Sequence, residues 1–334
     1  MATMEFTTKV GCSLACKFCP QDKIVKNYRR DTDRMLSFEK FKLVVDKIPP
    51  NVRLDFSGMT EPWLNPAATQ MVVHAFEQGR SVAIYTTLQG LSPDDARYLI
   101  DCFADRIAPG APWVIHLPDN ENNMIGWKPT KAYLDTLAVF AKLKRDHNPR
   151  ALSFMTMSAT GVVSKELLSV FDSRLAKFIG WSRAENLTRS DFSPGQLVRE
   201  VVHARPVMCA STPFFDHNAM MPNGDVSLCC MDYSLSNVIG NLFEQSYDDL
   251  FCSEKMNEIR LRAMKPGVDS DFICKNCNNA VCLDQDAASL HWNLEKSVLW
   301  SPANEKANRL TVRRALKGAA RRIAKRFSST SKRT

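Results

Sequence analysis

Short β-rich stretches alternate with longer amphipathic stretches over residues 4–185, and this alternation is the strongest constraint on the fold. It is typical of parallel strands joined by helical crossovers. The predicted strands cover residues 5–10, 53–57, 81–86, 113–117, 152–157 and 177–179. The predicted helices cover residues 37–48, 67–78, 93–103, 131–144 and 165–171. Six units are too few for a closed eight-stranded barrel, so we predict an α/β fold, a partial (β/α)6 TIM-like barrel with its chemistry at the carboxyl ends of the strands.

The eleven cysteines fall into two groups. Cys12, Cys16 and Cys19 directly follow the first predicted strand, and seven more lie within residues 209–282. Residues 1–11 lack the apolar core and the cleavage site of a secretory signal, so we expect a reducing, cytoplasmic setting in which disulfides do not persist. The second group is expected to form an irregular region, over residues 208–283, that depends on bound metal for its fold.

Composition divides the chain into a predicted barrel domain at residues 1–200, a cysteine-rich extension at residues 201–300 and a tail at residues 301–334. A polar linker at residues 182–195 closes the barrel. The chain carries a net charge of +8, but residues 305–334 alone hold eleven Lys or Arg against one acid. No nucleic-acid footprint is therefore expected across the fold.

An apolar stripe along residues 309–327 predicts a basic amphipathic tail helix. Contact with a membrane surface, binding of an acidic partner and plain solvation all fit such a helix. No apolar run in the chain is long enough to span a bilayer, so the protein is expected to be soluble or membrane-peripheral.

Cys12, Cys16 and Cys19 have a CxxxCxxC spacing on one short loop. Three thiolates spaced in this way can bind three irons of a 4Fe-4S cubane and leave the fourth iron open to a ligand that is not protein. A structural zinc site is the alternative, but zinc prefers a closed set of four ligands, and no fourth ligand is near in the sequence. The spacing therefore favours chemistry at an iron-sulfur cluster.

This CxxxCxxC, with Phe18 before its last cysteine, resembles the signature of the radical S-adenosylmethionine superfamily, whose partial barrel also has six βα units. Residues 53–62, RLDFSGMTEP, resemble the GGE-type motif on the second strand of that family. The resemblance implies that Ser57, Gly58 and Glu61 hold the amino group of S-adenosylmethionine, while the open iron chelates its amino and carboxylate groups.

Two further elements extend the candidate cofactor site. Residues 85–90, YTTLQG, resemble the family's Thr-Asn-Gly element, which implies that Thr86 and Thr87 border the cofactor. His116 on the fourth predicted strand is a candidate substrate or ribose contact, although a lone histidine in an apolar strand is more often a core residue. Asp119 and Asn120, just past that strand, are candidate polar contacts in the same place.

The C-terminal cysteine region resembles the SPASM-type extension found on many members of the superfamily. The resemblance rests on a Gly-x4-Cys spacing, a hydrophobic-Gly-Asn step and a closing CxxC, which occur in the family's order at residues 224–229, 239–241 and 274–277. It implies that one auxiliary 4Fe-4S cluster is bound by four cysteines: Cys209, Cys229, Cys274 and Cys277.

The assignment of the other C-terminal cysteines is less direct. Cys230 and Cys282 compete for places in the auxiliary ligand set, and a CxxC alone would also fit a zinc knuckle. Cys102 and Cys252 lie in helix-like surroundings and are interpreted as buried apolar thiols.

The resemblance implies that reductive cleavage of S-adenosylmethionine gives a 5′-deoxyadenosyl radical, which abstracts hydrogen from a small polar substrate such as a sugar, an aminocyclitol or a glycan precursor. An auxiliary cluster would favour a two-electron oxidation. The alternatives are an epimerase in which Cys230 or Cys252 returns a hydrogen atom, a peptide-modifying maturase, and a zinc-stabilised binding protein that is not an enzyme. Peptide-modifying members usually carry a recognition domain before the barrel, and no such domain is expected before Cys12. A flavodoxin- or ferredoxin-like electron donor is the expected protein partner.

Overall fold

The computed structural model describes residues 2–14, 16, 19–28, 32–103, 112–119, 124, 127–156, 163–178, 202–210, 212, 214–277, 279–286 and 288–289. Several predicted features lie outside the described residues and stay predictions: Phe18, Asn120, the linker at residues 182–195, the domain boundaries at residues 200 and 300, and the tail helix at residues 309–327. No helix in the described part of the chain is long and apolar enough to cross a membrane.

The six predicted strands are all present as a parallel set. They are β1 Thr3–Phe6, β2 Arg53–Phe56, β3 Val82–Thr86, β4 Trp113–Leu117, β5 Leu152–Thr156 and β6 Ala176–Phe178. Each pairs in parallel with the next one in the sequence. The prediction of a partial barrel with βα connections is therefore confirmed.

The helices of the described residues are α1 Gln21–Asn27, α2 Phe38–Lys47, α3 Ala68–Glu77, α4 Pro93–Phe103, α5 Lys131–His147, α6 Tyr247–Cys252 and α7 Glu254–Met264. Four predicted crossover helices correspond to α2–α5. The fifth prediction, at residues 165–171, is wrong in type, because a 3-10 helix occupies Lys165–Ser169 and buries only Leu167. A segment with so little apolar surface to pack gains little from a full α-helix.

The parallel strands separate apolar from polar side chains. Met4, Phe6 and Phe56 are fully buried, and both phenylalanines pack against Phe41 of α2. Since successive side chains of a strand point to opposite faces, Glu5 and its neighbours on the same face point into the barrel. The helices thus cover the apolar face, and the barrel interior is left polar.

The first strand ends earlier than predicted. Residues 5–10 were expected to be extended throughout, but β1 ends at Phe6, and the next two threonines use their hydroxyls to bind the loop after β2. The backbone N–H of Met59 donates to Oγ1 of Thr7 at 3.1 Å, and Oγ1 of Thr8 donates to the carbonyl of Pro62 at 2.8 Å. These hydrogen bonds hold the exits of the first two strands together.

Gly58 lies in this contact and has no room for a side chain. Its φ is +57°, and a Cβ built on it would be 2.5 Å from Oγ1 and 2.7 Å from Cα of Thr7. The left-handed backbone and the close approach each favour glycine at this position. The glycine of the RLDFSGMTEP motif is therefore required by packing as well as by conformation.

The region at residues 208–283 is regular, and the expectation that it would be irregular is wrong. It contains α6, α7 and five short strands: β7 Val207–Cys209, β8 His217–Met220, β9 Asp225–Ser227, β10 Val238–Asn241 and β11 Ala280–Cys282. β8 pairs in parallel with the free edge of β1, and β9 and β10 continue the sheet antiparallel, which gives the strand order β10-β9-β8-β1-β2-β3-β4-β5-β6. This region is regular because β8 pairs with a strand some 210 residues earlier, and short local sequence patterns do not show such pairing.

An ion pair spans the junction between β1 and β8. Nε2 of His217 lies 2.7 Å from Oε1 of Glu5, and both side chains are largely buried. Burial alone would lower the pKa of His217, but the nearby carboxylates of Glu5 and Asp55 outweigh it and raise the pKa above its usual value.

We expect Gly58→Ala to lower the free energy of unfolding by about 2–5 kcal/mol, because left-handed strain of about 1–2 kcal/mol adds to an overpacking cost of about 1–3 kcal/mol. Gly79→Ala is the matched control, since Gly79 also has a positive φ, +68°, but a Cβ there would meet nothing within 4 Å. Urea unfolding of the two variants checks this. Equal losses of unfolding free energy in the two variants would show that packing against Thr7 does not contribute to the effect of Gly58→Ala.

The raised pKa of His217 predicts a pH-dependent stability. The ion pair contributes fully below the unfolded-state pKa of about 6.5 and is lost as the pH rises through the higher folded-state pKa. We therefore expect wild-type stability to fall more steeply than that of His217→Gln as the pH rises above about 6.5. His147→Gln, an exposed histidine on α5, serves as the control in urea titrations. Parallel pH profiles of the wild type and His217→Gln would contradict the assignment.

Candidate functional site

The three cysteines of the CxxxCxxC loop follow the exit of β1 and are all half-buried. The backbone N–H of Cys19 donates to the carbonyl of Cys16 at 3.0 Å, which folds the loop back on itself. Burial raises the pKa of the Cys12 thiol, hydrogen bonds with the backbone of Leu14 and Glu61 lower it, and the neighbouring Cys19 thiol raises it. The loop thus places Cys12 beside Cys19 and against the motif on the second strand.

The motif on the second strand is anchored to β1 through Glu5. One carboxylate oxygen of Glu5 accepts the hydroxyl of Ser57 at 2.6 Å and the backbone N–H of Gly58 at 3.1 Å. Gln21 on α1 donates from its side-chain amide to the carbonyl of Met59. Ser57 and Gly58, both predicted to contact the cofactor, are therefore held at the exit of β2 beside the cysteine loop.

Glu61 binds the loop after β3. Its carboxylate accepts Oγ1 of Thr86 at 2.6 Å, the backbone N–H of Thr87 at 2.6 Å and Oγ1 of Thr87 at 2.8 Å. Burial raises the pKa of Glu61, and these hydrogen bonds oppose the rise by stabilising the charged form. The structure thus brings together three predicted site residues, whereas contact between Glu61 and the amino group of the cofactor stays a prediction.

The backbone after Thr87 has an uncommon conformation. Leu88 is buried and has a φ of +67°, although it is not a glycine. Its N–H donates to Oγ1 of Thr86 at 2.8 Å, so the same hydroxyl that binds Glu61 also fixes this turn. A left-handed leucine costs free energy and persists where surrounding contacts determine the backbone, as at many functional sites.

The barrel interior carries charged side chains that the sequence analysis did not select. Arg53 and Asp55 of β2 form two hydrogen bonds of 2.6 Å each, and Asp55 is almost fully buried. Burial raises the pKa of Asp55, while Arg53 lowers it. Register places Glu5 beside Asp55 on the same face, and Tyr85 lies close enough for its pKa to be raised by burial and by Asp55. A charged residue on the buried face of a predicted strand was the available signal for Glu5 and Asp55.

His116 lies on β4, opposite Met155 of β5, and is partly exposed. Val114, two residues earlier, pairs with Tyr85, so strand alternation places His116 on the interior face. Asp119 follows the strand and is buried at 4% exposure. The predicted location of His116 at the open end of the barrel agrees with this register, and its contact with substrate or ribose stays a prediction.

The four cysteines predicted to bind the auxiliary cluster lie together. Cys209 ends β7 and Cys229 follows β9, while Cys274 lies in the 3-10 helix Ile273–Asn276 and Cys277 directly follows it. Burial raises the pKa of Cys274 well above its usual value, and the thiols of Cys209 and Cys277 raise it further. The pKa of Cys229 is raised by burial in the same way, with added effects of Cys230 and Cys274.

The buried thiols of Cys229 and Cys274 can persist as deprotonated thiolates only if a positively charged group binds beside them. Cys229 and Cys274 are partly exposed as whole residues, but their thiols are in buried surroundings that disfavour negative charge. Within the described part of the chain, no three His, Cys, Asp or Glu side chains lie close enough to bind a single metal ion. A cubane does not require that convergence, because each cysteine binds a different iron. The donor sets at both ends of the chain therefore fit iron-sulfur clusters.

Cys282 has a different partner. Its Sγ lies 3.2 Å from Nδ1 of His203, and Nε2 of that histidine lies 3.0 Å from the carbonyl of Cys277. Cys230 lies next to Cys229 and is partly buried against the core. The geometry therefore favours the predicted ligand set over one that includes Cys282.

Cys102 and Cys252 were interpreted as buried thiols, and this prediction is wrong. Both are exposed, at the ends of α4 and α6 respectively. Helical periodicity indicated their helices correctly, but the last turn of a helix exposes positions that a continuous pattern would bury.

Comparison with known proteins adds to this geometry. The model of the SPASM family, described as an iron-sulfur cluster-binding domain, matches residues 209–278. The match begins at the first predicted auxiliary ligand, ends one residue after the last, and leaves Cys282 outside. No curated protein matches the chain.

The solved structures that are similar to the chain include BtrN, anSMEcpe and SuiB. BtrN in complex with AdoMet and 2-DOIA has a TM-score of 0.50 at 16% identity, with 84% of this chain and 93% of that chain covered. Native anSMEcpe with bound AdoMet has a TM-score of 0.45 at 12% identity, covering 77% and 82%. SuiB of Streptococcus suis bound to precursor peptide SuiA has a TM-score of 0.42 at 13% identity, covering 83% and 69%.

The SPASM match is to an iron-sulfur domain, which disfavours the zinc-stabilised alternative. The likeness to BtrN extends over most of both chains and shows a shared fold. Residues 209–278 therefore match the SPASM iron-sulfur cluster-binding domain, and they follow a partial barrel that shares its fold with BtrN.

Proposed function

We propose that the protein is a radical S-adenosylmethionine enzyme that oxidises a small polar substrate. The observation that carries the proposal is the convergence of the Cys12 thiol, the Glu61 backbone and the Thr86–Thr87 hydroxyls at the exits of the first three strands. The AdoMet in the similar BtrN structure supports the same cofactor here. When bound, the open cluster and S-adenosylmethionine would supply a 5′-deoxyadenosyl radical that removes a hydrogen atom from the substrate.

The chain's own residues would position the cofactor. Cys12, Cys16 and Cys19 would hold the cluster, and Ser57 and Gly58 would present polar backbone and hydroxyl groups beside it. Glu61 braces the loop of Thr86 and Thr87, so that these groups need not reorganise when the cofactor binds. Such preorganisation lowers the entropic cost of reaching a reactive geometry.

The polar barrel interior favours a substrate with several hydroxyl or amino groups. Glu5, Asp55, Arg53, Tyr85 and His217 interact with one another on this face through ion pairs and electrostatic effects. A substrate with hydroxyl or amino groups can add hydrogen bonds to these side chains, whereas an apolar substrate would offer them none. The 2-DOIA in the similar BtrN structure also supports a small-molecule substrate.

The auxiliary site decides the proposed outcome of the reaction. Four cysteines can ligate all irons of one cubane, which then has no open iron and serves to transfer electrons. Cys209, Cys229, Cys274 and Cys277 would hold this cluster, which would supply an acceptor for the second electron of a two-electron oxidation, while the hydroxyl proton of the substrate would pass to a nearby base. An external one-electron donor of the flavodoxin or ferredoxin type would reduce the first cluster.

Epimerisation is the second candidate, and the position of Cys230 favours it. A hydrogen-atom donor must be protected from solvent, and Cys230 is partly buried beside Cys229, whereas Cys252 is exposed. Cys230 is therefore the better candidate donor of the two.

Anaerobic reconstitution of cysteine variants tests the two cluster roles. The wild type should bind about eight irons per chain, and Cys16→Ala and Cys277→Ala should each lose about four. We expect Cys16→Ala to abolish release of 5′-deoxyadenosine, whereas Cys277→Ala should retain release and lose product. The exposed Cys102→Ala is the control and should match the wild type. Equal loss of cleavage in both cluster variants would contradict separate roles.

Mass analysis of products distinguishes oxidation from epimerisation. With sugar-like or aminocyclitol-like substrates in D2O, oxidation should remove two hydrogens, whereas epimerisation should add one deuterium in place of hydrogen. Cys230→Ala should leave an oxidation intact and should stop an epimerisation. Deuterium uptake that Cys230→Ala abolishes would overturn the oxidation proposal.

A further inference from the structure

Tyr233 connects the two cysteine regions. It is fully buried, lies four residues after Cys229, and places its hydroxyl 3.5 Å from Sγ of Cys19. Cys19 is the third cysteine of the N-terminal loop, 214 residues earlier in the chain. A side chain of the SPASM domain therefore contacts a predicted ligand of the first cluster.

The chemistry of a cluster ligand fixes the direction of this hydrogen bond. A cysteine that binds iron is a thiolate and has no proton to donate, so the phenol O–H of Tyr233 must be the donor. Gln21 donates to the same sulfur from its side-chain amide at 3.4 Å. Cys19 would thus receive two hydrogen bonds from outside its own loop.

The loop that carries Tyr233 is held by Asp232. The carboxylate of Asp232 accepts the hydroxyl of Ser234 at 2.8 Å and the backbone N–H of Asn237 at 2.7 Å. The backbone N–H of Asp232 donates to the carbonyl of Cys229 at 3.1 Å. The position of the phenol is therefore tied to the turn that contains a predicted auxiliary ligand.

We propose that Tyr233 is a positioning and tuning residue that raises the reduction potential of the N-terminal cluster by donating a hydrogen bond to Cys19. The inference rests on the proposed function. Reduction adds one electron to the cluster from an external one-electron donor, and Tyr233 keeps its proton throughout. Because the added electron increases negative charge on the sulfurs, a donor stabilises the reduced state more than the oxidised state.

Burial strengthens the effect. Tyr233 has no exposed surface, and electrostatic interactions are stronger in surroundings of low dielectric constant. The SPASM domain would in this way facilitate electron transfer to the first cluster in addition to holding a cluster of its own.

Redox titration followed by EPR tests the proposal in the reconstituted full chain. The N-terminal cluster is identified by the signal that changes when S-adenosylmethionine is added. For Tyr233→Phe we expect a more negative midpoint potential. At a fixed potential, the ratio of reduced to oxidised cluster should fall by up to about tenfold, which corresponds to a shift of about 59 mV for one electron. Tyr247→Phe is the control, since Tyr247 is a buried tyrosine on α6 and its variant should keep the wild-type midpoint.

A second variant covers the case in which Tyr233→Phe loses iron. Site-specific 3-fluorotyrosine at position 233 keeps the shape of the ring and makes the phenol a stronger donor. It should move the midpoint in the positive direction. Unchanged midpoints in the fluorinated protein and in any Tyr233→Phe that retains the cluster would overturn the role of Tyr233 and leave the proposed function standing. A wild-type cluster signal that ignores S-adenosylmethionine would overturn the proposed function itself.

Discussion

Two buried carboxylates hold the candidate site together: Glu5 lies on β1, and Glu61 lies in the loop that follows β2. Glu5 accepts hydrogen bonds from Ser57 and Gly58, and Glu61 accepts them from Thr86 and Thr87. A carboxylate accepts several hydrogen bonds at once, and those it accepts are stronger than bonds between neutral groups. The exits of three neighbouring strands thereby form one connected polar network beside the cysteine loop.

This network has an electrostatic cost that the local geometry offsets. Burial raises the pKa of Glu61 and of Asp55, so each charge is stable only while its donors stay in place. The backbone is left-handed at Gly58, whose N–H donates to Glu5, and at Leu88, whose N–H donates to Oγ1 of Thr86. Carboxylates that are already hydrogen-bonded to their surroundings reorganise little when a cofactor binds.

In the described part of the chain, β8, β9 and β10 of the SPASM region continue the barrel sheet, while β7 pairs separately with β11. β8 pairs with β1 along its whole length, His217 forms an ion pair with Glu5, and Tyr233 reaches Cys19. The C-terminal region therefore completes the edge of the barrel as well as carrying its own cysteines. Strand pairing of this kind fixes the relative positions of the two cysteine groups more firmly than loop contacts would.

Local features of the sequence determined the parallel strands and four of the crossover helices, and they predict both cysteine ligand sets. Strand alternation, helix periodicity and ligand spacing all act over a few residues, so a single sequence contains them in full. Only the tertiary structure decided that β1 ends at Phe6, that Glu61 binds Thr86 and Thr87, that Cys252 is exposed, and that His217 and Tyr233 meet Glu5 and Cys19. Those contacts join residues between 25 and 214 positions apart, and no short pattern in the sequence records which distant segments pack against each other.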